Sequence, residues 1–259
     1  KSEQQHSKIG HSQVGFVFGP LAEGINMLPS IGKIPSLLFF WGIGIIVSVV
    51  YYVLMHRKFN IQWYTALLLG MIMILLETFS AKIMFLLENP SAIKDGISWA
   101  GGYSLFGVFF FTPLFFFLVS RIMKMKYLDL MDLLIPGILL ELAFYRIGCT
   151  CMGCCYGIEV GWGISNGIQD HLFPVQPLES VLDIGVFVTV LLMFLNGKLR
   201  RGEPFYLTYC SYGFIRFVLE FLRQRTNVVG ILSVSHFFAL EVMIFGLVMF
   251  IYSKVIGKK

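Results

Sequence analysis

The chain is short of charge. Asp, Glu, Lys and Arg make up only 14% of its 259 residues, whereas a soluble domain carries about 25%. That shortage excludes an ordinary water-facing enzyme surface. The net charge is +5, yet no basic patch interleaved with exposed aromatics occurs, so a nucleic-acid partner is not expected. No internal repeat, low-complexity tract or separate soluble domain is found. No signal peptide is visible ahead of the first long apolar run, which begins near Ile34. There are five cysteines and no second CxxC pair of the kind that builds a zinc ribbon.

What the chain has instead is apolar length. It is 57% hydrophobic with 26 Phe and 12 Met, and its mean hydropathy is +0.78. A transmembrane helix needs about 20 mostly apolar residues. Seven stretches qualify: 34–55, 61–87, 99–119, 128–145, 177–195, 204–222 and 235–252. The expected fold is therefore all-α: a polytopic membrane protein of about seven transmembrane helices in one membrane-embedded domain, 1–259, with a small extracytoplasmic loop region.

Basic residues set the expected orientation. Arg57 and Lys58, then Arg121, Lys124 and Lys126, then Lys198, Arg200 and Arg201 occupy alternate connections, and Lys254, Lys258 and Lys259 close the chain. The other connections are poorer: Lys94 stands among Glu88 and Asp95, and Arg223 and Arg225 follow the sixth span. The richer side should face the cytoplasm. This puts residues 1–33 and the long 149–176 loop outside and the C-terminus inside.

Ionisable residues inside a span cost about 2.5–3.5 kcal/mol on insertion scales and usually face the bundle interior. The candidates are Glu77, Lys82, Glu141, Arg146, Glu179, Asp183, Arg216, Glu220, Arg223 and Glu241. Arg216 and Glu220 are spaced i,i+4 and can pair. Arg223 follows on the same helical face, and Tyr209 and Tyr212 extend the stripe. One ion pair needs one Arg. The surplus, with Arg146 and Lys82 near the same leaflet, points to a lipid phosphate, which guanidinium binds bidentately.

Two further segments stand out. Arg146-Ile147-Gly148-Cys149-Thr150-Cys151-Met152-Gly153-Cys154-Cys155-Tyr156-Gly157 clusters four thiols among three glycines. Zinc, a disulfide and free thiols are all open to such a run. A single tight cluster favours free thiols in a Gly-rich turn, and no stoichiometric metal is expected. Pro174-Val175-Gln176-Pro177-Leu178-Glu179 opens the fifth span, where Pro is ordinary helix-start chemistry.

In series, these segments resemble the prolipoprotein diacylglyceryl transferase family. Tyr145 to Gly157 resembles a cysteine-rich form of the family's GR-x-G segment. Phe173-Pro174-Val175-Gln176-Pro177-Leu178-Glu179 keeps the Pro, Gln and Glu of its HP-x-Q-x-x-E segment. Tyr212-Gly213-Phe214-Ile215-Arg216-Phe217-Val218-Leu219-Glu220-Phe221-Leu222-Arg223 matches YG-x-x-R-F-x-x-E-x-x-R at every fixed position. There are departures. Gly101-Gly102-Tyr103-Ser104-Leu105-Phe106-Gly107 carries Phe106 where the family has His, and Cys149 stands where Asn is common. Trp41-Gly42 replaces a Tyr-Gly, and Ser80-Ala81-Lys82 replaces Gly-Ala-Arg.

The resemblance implies an enzyme of the bacterial cytoplasmic membrane. Its reaction would move the diacylglyceryl group of phosphatidylglycerol to the lipobox cysteine of a preprolipoprotein, recognised with its signal peptide. Arg146, Arg216, Glu220 and Glu179 would be catalytic. Arg223, Gln176, Lys82, Cys149, Gly157 and Tyr212 would bind substrate. No metal or organic cofactor is implied; membrane lipids are the surroundings. Phe106 keeps open a relative with an altered acceptor or no catalysis that binds anionic lipid, and seven spans with buried Arg–Glu pairs also permit a small-anion transporter.

Overall fold

The computed structural model describes residues 28–94, 97, 102–166, 169, 171–224, 228–229 and 232–256. Most of the N-terminal segment, the start of the predicted third span, Gly101, Asp95, Arg225, Lys258 and Lys259 lie outside the described residues. Among the described residues, two small hairpins and seven long helices, with one short helix and one further strand, make the fold. Strands β1 (Ser30–Ile31) and β2 (Ile34–Pro35) pair antiparallel and lead into α1 (Ser36–Met55). Helices α2 (Trp63–Glu88), short α3 (Ser91–Lys94), α4 (Leu105–Ile122) and α5 (Tyr127–Met152) follow. Strand β3 (Glu159–Ile164) precedes α6 (Val175–Leu195) and α7 (Glu203–Glu220). The hairpin of β4 (Val228–Val229) and β5 (Leu232–Ser233) leads directly into α8 (Val234–Ile256).

Each predicted span holds one long helix, so the chain is a helical, multi-pass membrane protein. The count of about seven spans needs correction. Among the described residues, five helices are long and apolar enough to cross a membrane: α1, α2, α4, α6 and α8. Helices α5 and α7 have comparable length but are less apolar. The reason lies in their position. Helix α5 packs against α1, α4, α6 and α7, and every residue from Leu130 to Ala143 is buried. A helix screened from lipid by its neighbours can carry polar groups.

Packing on α5 is polar as well as apolar, since lipid tails are as apolar as Leu and give helices little hydrophobic drive to associate. Ser48 Oγ on α1 donates to Glu141 Oε1 at 2.6 Å, and the Tyr52 hydroxyl donates to the Leu134 carbonyl at 3.1 Å. Asp132 accepts the backbone N–H groups of Gly202 at 2.5 Å and Phe205 at 3.0 Å. It thus caps the start of α7, which has no side-chain cap of its own. That capping sets the parallel register of α5 and α7.

Two expectations about ends are revised. Helix α5 does not stop near Tyr145 but runs to Met152 and ends on Gly153, which is left-handed with φ of 67°. Gly148 does not break it; a β-carbon there would lie 2.8 Å from Leu37 Cα, so this glycine admits the start of α1. Cys149 and Cys151 are consequently helical, and the loop begins later than 149. Glu241 is the other revision. It lies exposed on the outer face of α8, whereas all the other intramembrane candidates except half-buried Arg223 are buried.

Candidate functional site

The alternation of helix direction brings the ends of α2, α5 and α7 together with the starts of α1, α4, α6 and α8. Arg146 and Arg216 rise about 20 Å above the Asp132 cap at 1.5 Å per residue, so they reach the same level. Antiparallel α6 enters between them and supplies Glu179. Arg146 Nε lies 2.9 Å from Glu179 Oε2, and Arg216 Nη1 lies 3.7 Å from the same oxygen. Arg216 Nη2 is 3.0 Å from Glu220 Oε2, and Arg223 Nη1 is 4.0 Å from it. Five predicted residues therefore form one buried chain of alternating charge.

The chain of charge is incompletely hydrogen-bonded. Arg146 Nε and the Nε and Nη1 of Arg216 are buried and find no acceptor among the described residues. The Arg146–Glu179 approach is close in charge but poorly aligned as a hydrogen bond. A buried donor left without an acceptor costs about 1–3 kcal/mol, more when charged. Three such donors on two neighbouring guanidiniums match an incoming polyoxyanion.

Arg223 is not on the face of α7 as the spacing suggested. The helix ends at Glu220, and Arg223 sits in the following turn. Its backbone bridges Gly157, Ile158 N–H donates to the Leu222 carbonyl at 3.0 Å, and Gln224 N–H donates to the Tyr156 carbonyl at 3.2 Å. Gly157 is needed here: a β-carbon would lie 2.4 Å from the Phe173 carbonyl and 2.8 Å from that of Leu222. The long loop is thereby stitched across the end of α7. Strand β3, which sequence reading left as loop, bridges Leu172 from Glu159 and Ile164.

The other candidates fall in different places. Gln176 Nε2 donates to the Cys154 carbonyl at 2.7 Å, tying the start of α6 to the cysteine turn. Tyr212 is buried and stacks on Phe109 with ring centroids 4.2 Å apart. Lys82 is buried at the end of α2; its ammonium donates to the Gly102 carbonyl at 3.2 Å and lies over the rings of Phe85 and Tyr103. Phe106 is buried at the start of α4, and its ring centroid stands 6.0 Å from the Arg216 guanidinium. The residue replacing the family His thus touches the charge chain directly. His171 is exposed on the loop and makes no side-chain bond to the cluster among the described residues.

Two further buried residues lie at the site without a role assigned from sequence. Asp183, one turn beyond Glu179 on α6, is fully buried, and neither carboxyl oxygen has a hydrogen-bond partner among the described residues. It was noted as an intramembrane acid, and its i,i+4 spacing from Glu179 was the available signal. His236 gave none. It is fully buried at the start of α8, and its Nδ1 accepts the Ser233 N–H at 3.0 Å. Ser233 Oγ in turn donates to Glu220 Oε1 at 3.1 Å. With Nδ1 an acceptor, the proton sits on Nε2.

The clustered thiols are free, as expected, and three of the four converge. The sulfurs of Cys149, Cys154 and Cys155 all lie within 4.8 Å of one another. Cys149 is buried, Cys154 half-buried and Cys155 exposed, and all are free thiols. Hydrogen bonds from Cys149 and Cys154, with the charges of Arg223 and Arg146, hold the Cys155 thiol well below the usual thiol range despite its surroundings. Cys151 stands outside the group.

Comparison with known proteins places the chain in a family. The sequence profile of the family described as prolipoprotein diacylglyceryl transferase matches residues 26–252. The chain is 32% identical over 187 residues to phosphatidylglycerol–prolipoprotein diacylglyceryl transferase 2 of Clostridium perfringens, covering 67% of this chain and 70% of that one. It is 28% identical over 250 residues to the phosphatidylglycerol–prolipoprotein diacylglyceryl transferase of Dehalococcoides mccartyi strain BAV1, covering 88% and 94%.

Proposed function

The chain belongs to the prolipoprotein diacylglyceryl transferase family, and we propose that it transfers the diacylglyceryl group of phosphatidylglycerol to the lipobox cysteine of a preprolipoprotein. The observation that carries this reading is the buried chain Arg146–Glu179–Arg216–Glu220–Arg223, with guanidinium donors that lack acceptors. In the reaction the acceptor sulfur attacks a glyceryl carbon and the glycerol phosphate leaves. Charge develops on the phosphate oxygen. Fixed guanidiniums in a site screened from water stabilise it without reorganising.

Arg146 and Arg216 are assigned to the phosphate, with Arg223 at the rim. Glu179 and Glu220 position the guanidiniums rather than touch the lipid. Gln176 and Gly157 hold the loop against α6 and α7, and Tyr212 walls the site beside Phe109. Cys149 stands beside Arg146, where the acceptor's sulfur would arrive. Lys82 is assigned to an outer contact with the headgroup or the lipobox segment. The basic connections support a C-terminus in the cytoplasm and a site at the outer leaflet of the bacterial cytoplasmic membrane, where the signal peptide presents its lipobox.

The test is rescue of a bacterial strain depleted of its own diacylglyceryl transferase, paired with transfer from phosphatidylglycerol to a lipobox peptide in vitro. Thioether-linked diacylglyceryl on the peptide is the expected product. Phosphatidylglycerol binding with no transfer at any pH from 6 to 9 would overturn the enzyme reading in favour of a lipid-binding relative. Anion flux in liposomes without transfer would favour a transporter.

A further inference from the structure

At the site described above Phe106 stands beside Arg216 where the family's His is expected, so the acceptor thiol lacks that base. A thiol can be ionised by other means, and coordination to a metal deprotonates it outright. The converged cysteines bear on this. We propose that Cys149, Cys154 and Cys155 form a three-thiolate zinc site whose fourth coordination position takes the acceptor thiol. The metal site stands on its own geometry; the role of its open position rests on the function proposed above.

The geometry fits. Tetrahedral zinc at about 2.3 Å from each sulfur places the sulfurs about 3.8 Å apart. The three here lie within 4.8 Å of one another, so closing on the ion needs a movement of about 1 Å or less. The backbone is shaped to make this convergence. Helix α5 ends on left-handed Gly153, and Cys155 is itself left-handed with φ of 58°. That conformation costs a β-carbon-bearing residue about 1–3 kcal/mol unless its surroundings enforce it. The turn folds back so that Cys154 N–H donates to the Cys149 carbonyl at 3.2 Å, and the Gln176 amide fixes the Cys154 carbonyl. The result sets two adjacent cysteines over a third in the last turn of the helix.

Electrostatics agree. The C-terminal end of α5 carries the negative end of the helix dipole, which favours a cation. Zinc with three thiolates carries a net charge of −1, and with a fourth thiolate −2. Arg146 and Arg223 lie within electrostatic reach of the thiols and balance that charge. The gradation from buried Cys149 to exposed Cys155 leaves one side of the site open, as a catalytic zinc with three protein ligands requires. The expectation of free thiols came from spacing alone, which could not show that Cys149 and Cys154–Cys155 meet.

The chemistry balances. Binding of the acceptor thiol to zinc releases its proton to water. The bound thiolate attacks the glyceryl carbon, an S–C bond forms, and the C–O bond to phosphate breaks. The phosphate oxygen takes the electron pair and leaves as glycerol phosphate against the arginines. Zinc stays divalent throughout. The thioether product is a weaker ligand than a thiolate and dissociates.

Cobalt(II) and zinc titration of the purified full-length chain, reduced and metal-free, tests the site. Wild type should bind about one ion per chain and show the ligand-field and thiolate-to-cobalt absorption of a tetrahedral thiolate site. Altering a second-shell partner already costs about 10–100-fold in affinity, so Cys149→Ser, Cys154→Ser or Cys155→Ser should each cost more. Cys151→Ser and Cys210→Ser should leave binding unchanged. A lipobox peptide with Cys should shift the cobalt spectrum, and the same peptide with Ser should not.

Folded wild type that binds no cobalt, a triple Ser variant that binds as well as wild type, or a disulfide within this trio in protein isolated from its membrane would each overturn the site. A cobalt spectrum unmoved by the Cys peptide, or full transfer by metal-free protein, would overturn the role of the fourth position while leaving the transferase reading intact. Metal and peptide binding without transfer would instead count against the transferase reading and leave the site standing.

Discussion

Arg146→Ala separates charge for the substrate from charge for the fold. Arg146 is 5% exposed in its side chain and approaches one carboxylate, Glu179, at 2.9 Å. Glu179 keeps a second cation, Arg216 at 3.7 Å, when Arg146 is removed. The stability loss should therefore fall below the 3–5 kcal/mol typical of stranding a buried charge, at about 1–3 kcal/mol. The catalytic loss should be larger in effect. Removing one preorganised electrostatic donor costs about 2.7–4 kcal/mol in barrier, about 10²–10³ in rate. Arg146→Lys keeps the charge but loses the bidentate fork, so it should fall between wild type and Ala.

The assay is mass-spectrometric transfer from phosphatidylglycerol to a lipobox peptide by purified protein in lipid nanodiscs. Thermal unfolding and metal content are measured on the same samples. A folded Arg146→Ala protein that keeps more than about half the wild-type rate would refute the phosphate role, since the expected loss is at least about 10²-fold.

Other expectations follow from the same geometry. Glu179→Gln strands Arg146 without a carboxylate, while Arg216 keeps Glu220 at 3.0 Å, so it should destabilise by about 3–5 kcal/mol, more than Arg146→Ala, in thermal unfolding; equal melting temperatures for the two variants would contradict the shared-carboxylate picture. Phe106→His adds a proton acceptor beside Arg216, and general-base help is ordinarily worth about 10²–10⁴-fold. If zinc already ionises the acceptor, the gain should be less than tenfold between pH 6 and 9; a gain of about 10²-fold or more would show that ionisation limits the rate. A reporter active only outside the cytoplasm should be silent when fused after Lys259 and active when inserted near Gly167, and the reverse pattern would invert the placement of the site.

Much of the architecture was legible because lipid imposes a simple rule on sequence. Helices facing lipid must be apolar along their length, so apolar runs located a long helix in each of the seven stretches even though two of them are screened from lipid, and the motif order from Arg146 to Arg223 named the family. The i,i+4 spacing of Arg216 and Glu220 correctly foretold their pairing, since both lie on one helix. What sequence could not supply is where separate helices meet. Only tertiary packing screens α5 and α7 from lipid and lets them carry charge, which is why the apolar count falls to five. Only the capping of α7 by Asp132 levels Arg216 with Arg146 across Glu179. His236 reaches Glu220 through Ser233 because β5 lies against the end of α7. Cys149 meets Cys154 and Cys155 because α5 runs about two turns further and reverses on Gly153. Periodicity reports which face of a helix a residue occupies; the neighbour on that face is decided by loops and register, which act over distances no local pattern records.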